Sequence, residues 1–171
     1  PQQTQGIIHM ADVPSPLSNH SDLDAWLERV EALGQLKRIT AEVDPDLETS
    51  TLTYMVGQEE GGPALLFENI KGHPGHKAVY NMIGSSLDRF CLAIGEEPMQ
   101  HALDAVKVLK EKMQQKKPPN EISGEGLLVN QNVETGDDID ITKFPAPRMW
   151  PLDGGKYLGT GTAVITKDPE L

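Results

Sequence analysis

Two short apolar runs, ALLFENI at 64–70 and KAVYNMI at 77–83, stand on either side of the turn-forming KGHPGH. No other feature constrains the fold as much. A continuous apolar run of this length, bounded by glycine and proline, suits a strand that is covered on both faces. Such strands need helices to cover them, and the flanking sequence supplies candidates.

SDLDAWLERVEALGQ reads as an amphipathic helix, with Ser21 as its cap and Leu23, Trp26, Leu27, Val30 and Leu33 on one face. Gly34 is its left-handed stop. QLKRITAEV at 35–43 alternates as a strand and ends at Asp44-Pro45. DLETSTLTYMVGQEE predicts a second helix, with Asp46 near its start and Leu47, Leu52, Met55 and Val56 as its apolar members, before GGP breaks it. Ser86 introduces a helix over LDRFCLAIG, which Gly95 closes. A long surface helix follows, starting at Pro98 and placing Met99, Ala102, Val106, Leu109 and Met113 on one face.

KKPPNEISGEG interrupts every periodicity and marks a boundary. The expected organisation is a cloning remnant and loose leader over 1–20, an N-terminal α/β (α+β) domain with a small mixed sheet over 21–117, and a linker followed by a second unit over 118–171. In that unit LLVNQNV predicts a strand and ETGDDIDI an acidic turn. Prolines 145, 147 and 151 stiffen TKFPAPRMWP into an extended strut, because each fixes its own φ and keeps the preceding residue out of the helical region. LDGG then turns the chain into KYLGTGTAVIT, a strand whose Gly159 and Gly161 leave a shallow groove open to another backbone or a planar ligand.

A net charge of -11 and a pI near 4.8 oppose binding to nucleic acid or to anionic membranes. No apolar run approaches the roughly 18 residues of a spanning helix. The lone Cys91 rules out an intrachain disulfide and suits a cytoplasmic protein.

Side-chain chemistry along the chain is sparse. Gly84 to Ser86 precede a helix but lack the glycine pattern and lysine of a phosphate loop, so Ser86 reads as a cap. His73 and His76 share a turn with no third ligand nearby in sequence. Asp137, Asp138 and Asp140 lack the spacing of a calcium loop, and Cys91 sits in an apolar helix as a structural thiol. These residues form no catalytic or metal-binding constellation.

Several ordered blocks nevertheless resemble the N-terminal portion of the UbiD family of reversible decarboxylases. DLDAWLERVEALGQLKRITAEVDPDLETSTLT, GPALLFENIKGHPGH, IGSSLDRFCLAIG and NVETGDDIDITKFPAPRMWPLDGGKYLGTGTAVITKDPE run in the family's order from about Leu23 to Leu171. LFENIKGHPG and FPAPRMWPLDGGKYLGT are the most specific of them.

The resemblance implies prenylated FMN held with Mn2+ and K+ in a split β-barrel, whose first strands would fall in 118–171. It also implies a carboxy-lyase acting reversibly on an aromatic, heteroaromatic or α,β-unsaturated carboxylic acid, and a homo-oligomer. Thr160, after Leu-Gly, matches a family position that lies against the flavin. The family's metal ligands and catalytic glutamates fall beyond KDPEL, so the resemblance assigns no catalytic or metal role here, and these residues alone are expected to be inactive. A non-catalytic structural or subunit-interaction module is the alternative.

Overall fold

A computed structural model describes residues 22–115, 118 and 131–159. At its centre is a three-stranded sheet built from β1 (Leu36–Ile39), β2 (Ala64–Phe67) and β3 (Ala78–Tyr80), in the order β1-β2-β3. β2 is buried along its whole length, as its apolar run predicts. It pairs parallel to β1, with Leu36 opposite Ala64, and antiparallel to β3, with Leu66 opposite Val79. The six-residue turn at 71–76 suffices for the antiparallel pair, whereas the parallel pair needs a crossover. α2 (Glu48–Gly57) supplies it.

Successive residues of β2 point to opposite faces, so each face has its own core. Ala64 and Leu66 pack with Trp26, Leu27 and Val30 of α1 (Leu23–Ala32) and with Leu92 of α3 (Leu87–Ala93). Leu65 and Phe67 pack on the other side with Val43, Ile70 and the α2 residues Leu52 and Val56. The result is a sheet between two helical layers, which confirms the α/β expectation and the small mixed sheet.

The ends of α1 and α3 follow the sequence reading except at the start of α1, where Asp22 is the N-cap in place of Ser21. The Asp22 carboxylate accepts the Ala25 N–H at 2.9 Å and caps α1, while Ser21, the expected cap, lies outside the described residues. The Ser86 hydroxyl accepts the Arg89 N–H at 3.2 Å, and Gly34 and Gly95 take the left-handed conformation that ends α1 and α3 (φ 70° and 75°).

Other expectations need correction. β1 is shorter than 35–43, and Val43 returns only as an isolated bridge to Ile70. The apolar face of α2 is split: Leu52 and Val56 meet the core, but Met55 is 61% exposed while Thr49 and Ser50 are buried. The helix lies against a second body, the strut at 145–149, and the Ser50 hydroxyl donates to the Arg148 carbonyl at 3.1 Å. α4 (Ala102–Gln114) starts after His101 rather than at Pro98, and Ala105 is its buried residue, with Val106 and Met113 left outside. Periodicity locates an apolar stripe, but only the shape of the neighbouring surface decides which residue beside it is covered. Leu23 and Leu33 are likewise exposed.

Of the barrel strands expected at 127–133 and 156–166, residues 127–130 and 160–166 lie outside the described residues. Residues 131–133 and 156–159 are not strand. The acidic turn is present as single 3-10 turns at Gly136–Asp138 and Ile141–Lys143.

Below the first core sits an arginine that the sequence reading did not single out. Arg89 is fully buried. Its guanidinium donates to the carbonyls of Met82 and Gly62, at 2.8 and 2.6 Å, and to Gln35 Oε1 at 2.9 Å. Gln35 in turn donates to Asp88 and accepts the Ser86 hydroxyl. Desolvation lowers the Arg89 pKa, and the nearby Asp88 carboxylate opposes that shift. This hub ties the ends of α1, α2 and α3 together.

Candidate cofactor site

Among the described residues, the proline strut borders two cavities. Arg148 forms a parallel bridge with Asp46: its N–H donates to the Pro45 carbonyl at 3.2 Å and its carbonyl accepts the Leu47 N–H at 3.1 Å. Its guanidinium also grips the Asp46 carboxylate with two hydrogen bonds, 2.7 and 3.2 Å long. That pairing raises the Arg148 pKa. Beyond the strut, Asp153 folds back and accepts the N–H groups of Trp150 and Met149, and Asp153 N–H donates to the Trp150 carbonyl. The expected turn at LDGG is therefore centred slightly earlier, on WPLD. Tyr157 N–H then donates to the Pro147 carbonyl at 2.9 Å, so the chain returns alongside the strut.

Two cavities adjoin this returning segment. One, of about 510 Å³, runs between β3 and the strut, from Ala78 and Tyr80 past Pro145, Pro147 and Met149 to Gly159. The other, of about 410 Å³, lies between α2 and the WPLD turn and is walled mainly by Tyr54, Tyr80, Trp150 and Tyr157, with Asp153 at its margin. Tyr54 and Trp150 meet edge to face at 5.5 Å. Burial pushes the Tyr80 phenol above its ordinary value, and the Thr49 hydroxyl beside it acts in the opposite direction. Even so, Thr49 Oγ1 makes no hydrogen bond of regular geometry.

Thr160, the expected flavin contact, lies outside the described residues, but its predecessor Gly159 lines the larger cavity. The volume falls in the range of small-molecule sites, and prolines, Met149 and Tyr157 offer the apolar surface that a planar ring system requires. A flavin ring therefore fits. No cationic side chain lines that cavity, so a flavin phosphate has no partner among its described lining residues. Among the described residues no group of three or more His, Cys, Asp or Glu is placed to hold a metal ion.

The other residues weighed in the sequence have local roles. His73 Nδ1 contacts the Lys143 carbonyl at 2.9 Å, and His76 packs against Phe144, so the histidine turn anchors the start of the strut. Cys91 is buried. Asp140 caps its own turn by accepting the Thr142 N–H and hydroxyl, which lower its pKa. Tyr54, Tyr80, Trp150 and Tyr157 were not anticipated as a group, because they come from separated segments. The WPLD turn carries the one local signal, an aspartate three residues after a tryptophan that must fold back.

Residues 27–109 match the family model described as 3-octaprenyl-4-hydroxybenzoate carboxy-lyase N-terminal domain, and residues 121–171 match its Rift-related domain. An uncharacterized protein of Synechocystis sp. is 38% identical over 170 residues, covering 87% of this chain and 32% of the relative. Vanillic acid decarboxylase of Sedimentibacter hydroxybenzoicus, in its open form, superposes with a TM-score of 0.72 at 28% identity, over 80% of this chain and 30% of that one. The UbiD-class enzyme HmfF from Pelotomaculum thermopropionicum, in complex with FMN, superposes with a TM-score of 0.64 at 27% identity, over 78% and 28%. An evolved dimeric form of HmfF carries prFMN and gives 0.65 at 28% identity, over 78% and 29%. The chain thus spans about a third of the length of these relatives. Its two consecutive domain matches and its shared fold establish that the chain belongs to the UbiD family.

Proposed function

We propose that this chain is the N-terminal part of a UbiD-like decarboxylase that acts reversibly on an aromatic, heteroaromatic or α,β-unsaturated carboxylic acid by means of prenylated FMN. The observation that supports this reading most is the cavity lined by Pro145, Pro147, Met149, Tyr157 and Gly159, set in a fold shared with an enzyme that binds FMN. The modified flavin would supply the electron sink that decarboxylation needs. On this chain, Pro145, Pro147, Met149 and Tyr157 would bound the ring, and Thr160 would contact it.

Mn2+ and K+ belong to the proposal for the complete enzyme, but none of the described residues is assigned to either ion. Residues 1–171 alone would be inactive. The complete protein is proposed to be a cytoplasmic homo-oligomer, in keeping with an acidic chain whose described helices are not long and apolar enough to cross a membrane.

Full-length protein loaded with prenylated flavin and manganese is expected to release CO2 from at least one member of a panel of unsaturated and aromatic acids. Silence across the panel would overturn the assignment. Thr160→Val in that protein is expected to lower cofactor occupancy, measured from flavin absorbance per protein. Unchanged occupancy would remove Thr160 from the site.

A further inference from the structure

Leu47 has φ 72°, in the left-handed region that a side chain with a Cβ disfavours. Such a conformation persists only where surrounding contacts determine it, and here those contacts come from a residue about one hundred positions away. Arg148 accepts the Leu47 N–H at its carbonyl, donates its own N–H to Pro45, and takes the Ser50 hydroxyl on the same carbonyl. The bidentate pair with Asp46 adds a planar fork that fixes direction as well as distance. Nη1 of the same guanidinium reaches the Pro151 carbonyl at 3.3 Å, so one side chain touches both α2's leading loop and the WPLD turn.

Both charged partners are partly open to solvent, with side-chain exposures of 34% and 45%. An ion pair of that kind adds little to folding. Its geometric effect is larger. The residue before Arg148, Pro147, accepts the Tyr157 N–H, and Tyr157 to Gly159 line the larger cavity. That hydrogen bond, 2.9 Å long, joins the strut next to Arg148 to the returning chain.

We propose that Asp46 and Arg148 form a positioning clamp that sets the register in which Tyr157 to Gly159 line the candidate cofactor cavity. Arg148 is thus a positioning residue for flavin binding, acting through Pro147 and Tyr157 rather than by touching the flavin. The inference rests on the cofactor reading given under Proposed function. A lysine at 148 keeps the charge but not the fork.

The test is titration of the full-length protein with FMN, followed by flavin fluorescence, with thermal unfolding recorded for each variant. Arg148→Met, Arg148→Lys and Asp46→Asn are each expected to weaken FMN binding roughly tenfold or more, as small displacements of binding groups do. Unfolding temperatures should shift by only a few degrees. The Asp46→Asn/Arg148→Met double variant is expected to bind no worse than the weaker single variant, because both changes break one device.

If wild type binds FMN and the variants match it, the clamp is refuted. Losses that simply add would also refute it, since the residues would then act separately. Failure of wild type itself to bind FMN would sink the cofactor reading, and the inference with it. Should Arg148→Met fail to fold, Arg148→Lys decides between these outcomes.

Discussion

Arg89→Met is expected to destabilise the chain by about 3 kcal/mol, because the buried acceptors that the guanidinium serves lose a donor, at about 1–3 kcal/mol for each one left unpaired. Methionine keeps much of the volume and the apolar stem, so the loss isolates the guanidinium. It removes the donor that reaches the Met82 carbonyl at 2.8 Å, takes the 2.6 Å donor from the Gly62 carbonyl, which keeps Asn81 Nδ2, and frees Gln35 Oε1 from one of its two partners. Urea unfolding followed by circular dichroism measures the effect. A loss below about 1 kcal/mol would mean that water reaches the hub and that Arg89 does not hold the three helix ends together.

Gly62→Ala is expected to be as damaging, at about 3 kcal/mol, and for a different reason. A Cβ at Gly62 would lie 2.2 Å from the Val56 carbonyl oxygen and 3.1 Å from its carbonyl carbon, both backbone atoms of the last turn of α2. Neither can move without displacing the helix that carries Leu52 and Val56 into the second core. The Gly62 carbonyl also accepts Asn81 Nδ2 as well as Arg89, so a shift there disturbs both partners. Gly61→Ala is the control. Gly61 has φ 69° but open space around it, and its substitution should cost only about 1 kcal/mol, the left-handed penalty alone. Since Gly62 has no positive φ, a loss there no larger than that at Gly61 would show that the close approach to Val56 is relieved at little cost.

The local elements were legible in the sequence wherever one residue type has one structural use. ALLF suited a covered strand, Ser86 could serve as a cap, and Gly34 and Gly95 could end helices. What remained hidden depends on pairing across long separations. Nothing in TKFPAPRMWP announces that Arg148 bridges to Asp46, yet that pairing explains why Ser50 is buried on α2 and Met55 is not. Arg89 was hidden for a similar reason. An arginine inside a short helix reads as surface unless the carbonyls that surround it, from Gly62 and Met82, are already in place.

The candidate site shows the same division. The groove expected of the KYLGTG segment needed a strand with Gly159 and Gly161 on one face; Gly159 lines a cavity, but 156–159 are not strand and Gly161 lies outside the described residues. Thr160 came only from family resemblance and lies outside the described residues. The aromatic wall of the second cavity could not be read in advance, because Tyr54, Tyr80, Trp150 and Tyr157 converge only after the strut is fixed to α2.

The central claim is that these residues open a flavin-dependent carboxy-lyase, and isotope exchange tests it most directly. Full-length protein carrying prenylated flavin would be incubated with ¹³C-bicarbonate and each acid of an aromatic and α,β-unsaturated panel, and the recovered acids would be analysed by mass spectrometry. The account predicts ¹³C in the carboxyl group of at least one acid, dependent on the flavin. No label and no consumption of any acid, in protein shown to hold its flavin, would contradict it.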